Sequence, residues 1–95
     1  MTIEQIICFF CNENGVNTDE VCGRTKKLPV WTTRYMIWHY LHITHKISGG
    51  KLAKMFKRNL PSIFRGIRII KHEMTLYKDL RSKYDSIVKK IEGIA

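Results

Sequence analysis

Between Arg24 and His72 the chain has no aspartate and no glutamate. Those same residues hold twelve lysines and arginines: Arg24, Lys26, Lys27, Arg34, Lys46, Lys51, Lys54, Lys57, Arg58, Arg65, Arg68 and Lys71. Residues 1–23 show the reverse, with four acids and no Lys or Arg. The net charge of +9 therefore divides into −4, +12 and +1 along the chain. Like charges at this density repel one another in a folded domain, and a polyanion relieves the repulsion. Other absences exclude other classes. No apolar run reaches the ~18 residues of a membrane span. No basic segment precedes the first apolar stretch, so a signal peptide is not expected. Three cysteines, Cys8, Cys11 and Cys22, cannot all pair internally, which argues against a secreted disulfide scaffold and for a reducing, cytoplasmic setting. No Gly-rich phosphate loop is present.

What is present is a globular chain of one domain, 95 residues long and 44% apolar, enough for one modest core. The periodicity predicts an all-α bundle of about six helices. Thr2 and Gln5 form a capping box before a helix to Asn14, whose apolar face is Ile3, Ile6, Ile7 and Phe10. Gly15 ends it. Asn17 and Glu20 begin a short helix that stops at Gly23. Arg24 to Val30 reads as a basic loop. Thr32 or Thr33 is expected to cap a helix running to about Lys46, with Met36, Ile37, Tyr40 and Leu41 inward. Ser48 caps a short helix from Gly50 to Phe56, with Leu52, Met55 and Phe56 apolar. Asn59 caps the next, with Pro61 in its first turn and Ile63, Ile67, Ile70 and Met74 on one stripe. A last helix, about Leu76 to Glu92, is expected to bury Tyr77, Leu80, Tyr84, Ile87 and Ile91. That stripe packs on the first helix or serves a protein partner, and packing within the domain is preferred.

The two helices joined by Lys57, Arg58 and Asn59 make a helix-turn-helix over about 50–74. Ala53 supplies a small residue where the helices cross. Ile63 and Ile67 form the inner stripe; Asn59, Ser62 and Arg65 form the outer face. In an acid-free background this arrangement points to double-stranded DNA.

Three segments carry a family resemblance: residues 30–36 (VWTTRYM), 47–56 (ISGGKLAKMF) and 58–66 (RNLPSIFRG). Together they resemble the C-terminal DNA-binding domain of the bacterial replication initiator DnaA, which reads Val-x-x-x-Arg-Gln-Met/Ile, then Leu-Ser-Leu-Pro-Glu-Ile-Gly-x-x-Phe, then Arg-Asp-His-Thr/Ser-Thr-Val-x-His-Ala. The resemblance covers nearly the whole chain and implies a Trp-repressor-like helix-turn-helix acting in replication initiation, its regulation, or transcription. It implies that Arg34 grips phosphate, that Arg58 opens the signature and that Ser62 matches its second Thr. Gly49 and Gly50 take the family's Leu-Pro, where backbone N–H groups face phosphate. Lys26 and Lys27 lie in the basic loop, with Leu28 where the family has its minor-groove arginine. Asn59, Leu60 and Pro61 replace the family's base-reading Asp, His and Thr. Leu60 retains only apolar contact with a thymine methyl, and neither Leu60 nor Pro61 offers a side-chain hydrogen bond to a base.

The expected phosphate contacts are therefore Lys26, Lys27, Arg34, His42, Gly49, Gly50, Lys57 and Arg58. The expected base contacts are Asn59, Leu60, Pro61, Ser62 and Arg65. No cofactor is expected. Cys8, Cys11, Cys22 and the histidines His39, His42 and His45 lack the spacing of common zinc modules, so no metal is expected. The histidines are expected on a solvated or DNA-facing flank. Trp31 and Trp38 suit packing better than base stacking. Glu73, Asp79, Asp85 and Glu92 are spread along helix, and no nucleophile–base set is tied to a loop that would position it, so no enzyme is expected. A monomer is expected. The alternative is a DnaA-like scaffold with degenerate base-reading positions, binding a protein of the replication machinery through its basic face or its last helix. A third reading is a binder of RNA or single strands.

Overall fold

Capping and apolar periodicity divide the described residues, 1–94 of a computed structural model, into six helices with no strand among them. Helix α1 (Ile3–Asn14) opens on the reciprocal pair expected: Thr2 Oγ1 accepts from the Gln5 N–H at 3.1 Å, and Gln5 Oε1 accepts from the Thr2 N–H at 2.8 Å. Gly15 then takes a left-handed conformation at φ 67°, and the Val16 N–H returns to the Cys11 carbonyl, closing the helix end. Helix α2 (Thr18–Cys22) follows, with a Glu20 carboxylate oxygen accepting from the Asn17 N–H.

Helix α3 (Leu28–Ile43) is the centre of the fold, packing on α1 and α2 and on both α4 (Gly49–Phe56) and α5 (Leu60–Leu76). Its boundaries differ from the sequence reading at both ends. It starts five or six residues early, from an N-cap at Lys27, because Pro29 suits a helical first turn. Thr32 and Thr33 do not cap it; inside the helix, their hydroxyls donate back to the Leu28 and Pro29 carbonyls. It ends at Ile43 rather than near Lys46, because Lys46 turns left-handed (φ 57°) and the Ile47 N–H returns to the Leu41 carbonyl. Met36, Ile37, Tyr40 and Leu41 are buried as expected, but so are Val30, Thr33, Arg34 and Trp38. A helix surrounded by neighbours buries most of its circumference rather than one stripe.

Helices α4 and α5 carry the expected caps. Ser48 accepts from the Lys51 N–H and Asn59 Oδ1 accepts from the Ser62 N–H at 2.9 Å. Between them Lys57 is left-handed and the Arg58 N–H returns to the Ala53 carbonyl. Leu52 and Phe56, four residues apart, face the core, whereas Met55 is exposed. Ala53 is half-buried against the core. Close approaches occur at two glycines. A Cβ on Gly49 would lie 2.6 Å from the Phe64 ring, and one on Gly66 would lie 2.7 Å from the Trp38 ring and 2.8 Å from that of Tyr35.

Helix α6 (Lys78–Ile94) packs on α1 and α5. Tyr84, Ile87 and Ile91 are buried there, and Lys90 Nζ donates to Glu13 at 2.6 Å. The stripe is thereby used inside the domain and is not available to a partner helix. Tyr77 is not part of it. It sits in the extended bend between α5 and α6 and is 58% exposed, because the bend breaks the helical phase that the spacing assumed. No helix among the described residues is long and apolar enough to cross a membrane.

Two stability tests follow from this packing. Gly66→Ala should lower the unfolding free energy by about 1–3 kcal/mol through overpacking, while Gly50→Ala, with open space around it, should leave it almost unchanged; urea denaturation compares them. The second concerns His39, half-buried with Nδ1 2.9 Å from Tyr84 Oη. Burial first, then the charges of Lys71, Arg81 and His42, hold its pKa below the ordinary 6.5. The unfolded chain then takes up this proton first. Its stability contribution is full above 6.5 and is lost as pH falls through the lowered native value. Replacement by glutamine should flatten that part of the stability–pH curve.

Candidate nucleic-acid interface

Arg34 and Arg58 organise this region, and Arg34 is not placed as the sequence suggested. Arg34 rises from α3 into the protein and is 2% exposed. Its Nε donates to the Val21 carbonyl at 2.7 Å, and Nη2 donates to the Glu20 and Thr25 carbonyls at 3.0 Å each. Arg58, in the α4–α5 turn, donates to the Gly23 carbonyl, and its guanidinium carbon lies 5.9 Å from the centroid of the Trp38 ring. Two guanidinium groups thus hold four carbonyls of one segment, residues 20–25. A guanidinium suits this task because its planar fork carries several donors at fixed angles. Burial, and then the charge of Arg58, lower the Arg34 pKa from the usual guanidinium value. No carboxylate bonds to Arg34, so main-chain dipoles carry the cost of burying its charge. The phosphate-gripping role expected for Arg34 is replaced by a structural one: it fastens the basic loop to α3.

The fastened loop presents exposed Arg24, Lys26 and Lys27 beside the α4–α5 pair. Lys57 and Arg65 are exposed, and Arg58 and Ser62 are half-buried. Four of the expected contact residues, Lys26, Arg58, Ser62 and Arg65, line one open cavity of about 690 Å³. Arg24, Trp31 and Tyr35 share its wall, and the sequence reading assigned none of them to DNA contact. A signal was there: Trp31, Tyr35 and Trp38 recur at i, i+4 and i+7, which puts three aromatic rings on one flank of a helix. Neighbouring ring centroids along this row are 5.6 and 5.2 Å apart. Trp38 is buried, in line with the packing role read from the sequence, and Trp31 is half-buried.

The remaining expected residues form a second group. Gly49 is buried beneath Leu60 and Phe64, whereas Gly50 is exposed. Leu60 is partly exposed and its Cδ1 occupies the space that a Gly49 side chain would need. His42 is not free to meet phosphate through Nδ1, which donates to the Ile47 carbonyl at 2.8 Å while the ring meets Phe64 edge-on. This hydrogen bond pins the turn that leads into α4. Asn59 and Pro61 are exposed in the first turn of α5. His39 leaves the flank reading by bonding Tyr84, whereas His45 is exposed, with its ring edge-on to Tyr40.

Both ion pairs among the described residues, Arg81–Asp85 and Lys90–Glu13, use bases of α6. None of the twelve bases between Arg24 and His72 meets a carboxylate in them. Cys11 is buried and its thiol is pushed up to about 11, first by burial and then by Cys8 and Cys22, which makes it a poor ligand or nucleophile. No three His, Cys, Asp or Glu side chains converge as a metal site would need among the described residues.

Replacing Arg34 tests the clamp. Arg34→Met should cost about 3 kcal/mol of stability, because buried carbonyls lose a charged donor. Arg34→Lys should recover only part, since an ammonium cannot reproduce the fork. Denaturant melts read both, and unchanged stability in Arg34→Met would remove the clamp from the account.

Comparison of the chain with protein-family models and with curated proteins finds no match in either.

Proposed function

We propose that this chain is a double-stranded DNA-binding domain of the type found at the C-terminus of DnaA, with α4 and α5 as its helix-turn-helix and Lys26 and Lys27 of the basic loop as a second contact. The observation that carries the reading is the uncompensated charge. Twelve bases lie in the loop and the central helices, and neither ion pair among the described residues involves any of them. Lys26, Lys27, Lys57 and Arg58 are the phosphate contacts in this reading. The start of α5, from Asn59 to Arg65, lies against the major groove, with Asn59, Ser62 and Arg65 as the side chains able to hydrogen-bond base edges. Arg34 acts indirectly, through the loop it holds. The setting is cytoplasmic, in replication initiation, its regulation or transcription. Because Leu60 and Pro61 replace hydrogen-bonding residues of the family pattern, the reading calls for modest base specificity and a large electrostatic share.

A second reading, a protein-interaction module, has one observation in its favour. Exposed Leu28, Leu76 and Tyr77 line a cavity of about 810 Å³ at the α5–α6 bend, an apolar patch of the kind that marks docking surfaces.

Salt dependence separates the two. Four phosphate contacts, at about 0.9 each, give a slope of roughly −3.6 in log affinity against log salt on duplex DNA; a slope shallower than about −2 would favour the protein-interaction reading. Arg65→Ala should cost about 1–3 kcal/mol at a single base pair and relax preference there, read by comparing affinities across single-position variants of a selected site.

A further inference from the structure

The cavity between the basic loop, α3 and α5 has a composition that duplex binding does not require. Arg24, Lys26, Arg58 and Arg65 surround it, and no acid lines it. Half-buried Trp31 and Tyr35 lie in the same wall. Trp38, also in the lining, is 1% exposed, and its Nε1–H has no hydrogen-bond acceptor in the protein. Phosphate contacts on a duplex need only exposed cations, and an intact duplex keeps its bases stacked and paired. Aromatic faces beside cations suit a different ligand: one base with its phosphate, released from the stack. A volume of about 690 Å³ falls within the ~300–1,000 Å³ range of small-ligand sites.

We propose that this cavity binds one unpaired nucleotide of a DNA strand that emerges from the duplex on α5. The base stacks on Trp31 and Tyr35, and Arg24, Lys26 and Arg58 neutralise its phosphate. Ser62 and Arg65 lie both on the duplex-facing side of α5 and in the cavity lining, so the strand would pass from one to the other without leaving the protein surface. The proposal rests on the duplex reading for the strand that delivers the nucleotide, while the cavity's own chemistry is that of any nucleoside monophosphate.

The test uses the full chain and its tryptophan fluorescence. Deoxyadenosine monophosphate should quench emission saturably, and inorganic phosphate at the same concentration should not. A duplex with a single-stranded overhang should bind about ten-fold more tightly than the same duplex blunt-ended, as one base–aromatic stack supplies. Trp31→Leu, and separately Arg24→Ala, should remove that advantage and leave blunt-duplex affinity in place. Should Trp31→Leu fail to fold, exposed Arg24 carries the same comparison. Equal binding of blunt and overhanging duplex, or equal quenching by phosphate alone, overturns the nucleotide site and leaves the duplex reading standing. Saturable nucleotide binding without blunt-duplex binding supports the cavity and removes the duplex reading.

Discussion

The hydrogen bonds from Arg34 and Arg58 to the carbonyls of residues 20–25 are the constraint on which the candidate interface depends. Segment 20–25 ends one short helix and begins a loop rich in positive charge. Nothing in its own sequence would hold it against the rest of the domain. Cations repel it, and it contributes little to the core beyond Val21. The guanidinium groups overcome this by satisfying main-chain acceptors from two directions, one from the central helix and one from the turn between α4 and α5. A loop that would otherwise sample many conformations is ordered before any ligand arrives, and the entropy of ordering it is not charged against binding.

That arrangement explains how the domain tolerates its charge distribution. Glu13 and Asp85 engage bases of α6, and Glu20 caps α2. The bases of the loop and of the middle helices are left to solvent, or, for Arg34 and Arg58, to carbonyls. Folding therefore leaves a surface with unneutralised positive charge, and core burial must outweigh that cost. The core is continuous: Ile6 and Phe10 of α1, Ile37 and Leu41 of α3, Leu52 of α4, Ile63 and Ile70 of α5 and Ile87 of α6 are all buried in one cluster. Glycines at positions 49 and 66 bring the helices close enough for Phe64, Trp38 and Tyr35 to fill the gaps. The same close packing at Gly66 holds Tyr35 and Trp38 in place where they line the cavity beside the loop.

The helices, most of their caps and the segregation of charge were determined by the sequence alone, because these are local. A Thr-x-x-Gln pair, an Asn before a proline-containing first turn and apolar residues at 3.6-residue spacing act within a few residues of themselves. The all-α architecture and the buried stripes of α1, α5 and α6 were legible for that reason. Tertiary structure decided whatever depended on what covers a residue. Arg34 reads as a surface cation in sequence, yet it lies under the α2 segment and bonds carbonyls. Tyr77 continues an apolar period, yet a bend takes it out of phase. The Nδ1 of His42 is likewise taken up by a group that sequence does not show beside it, the Ile47 carbonyl. The cavity joins the loop and α3 to Arg58, Ser62 and Arg65, which lie far from them in the chain. No local pattern encodes such a cavity, because it exists only once the clamp has brought the loop to the helix.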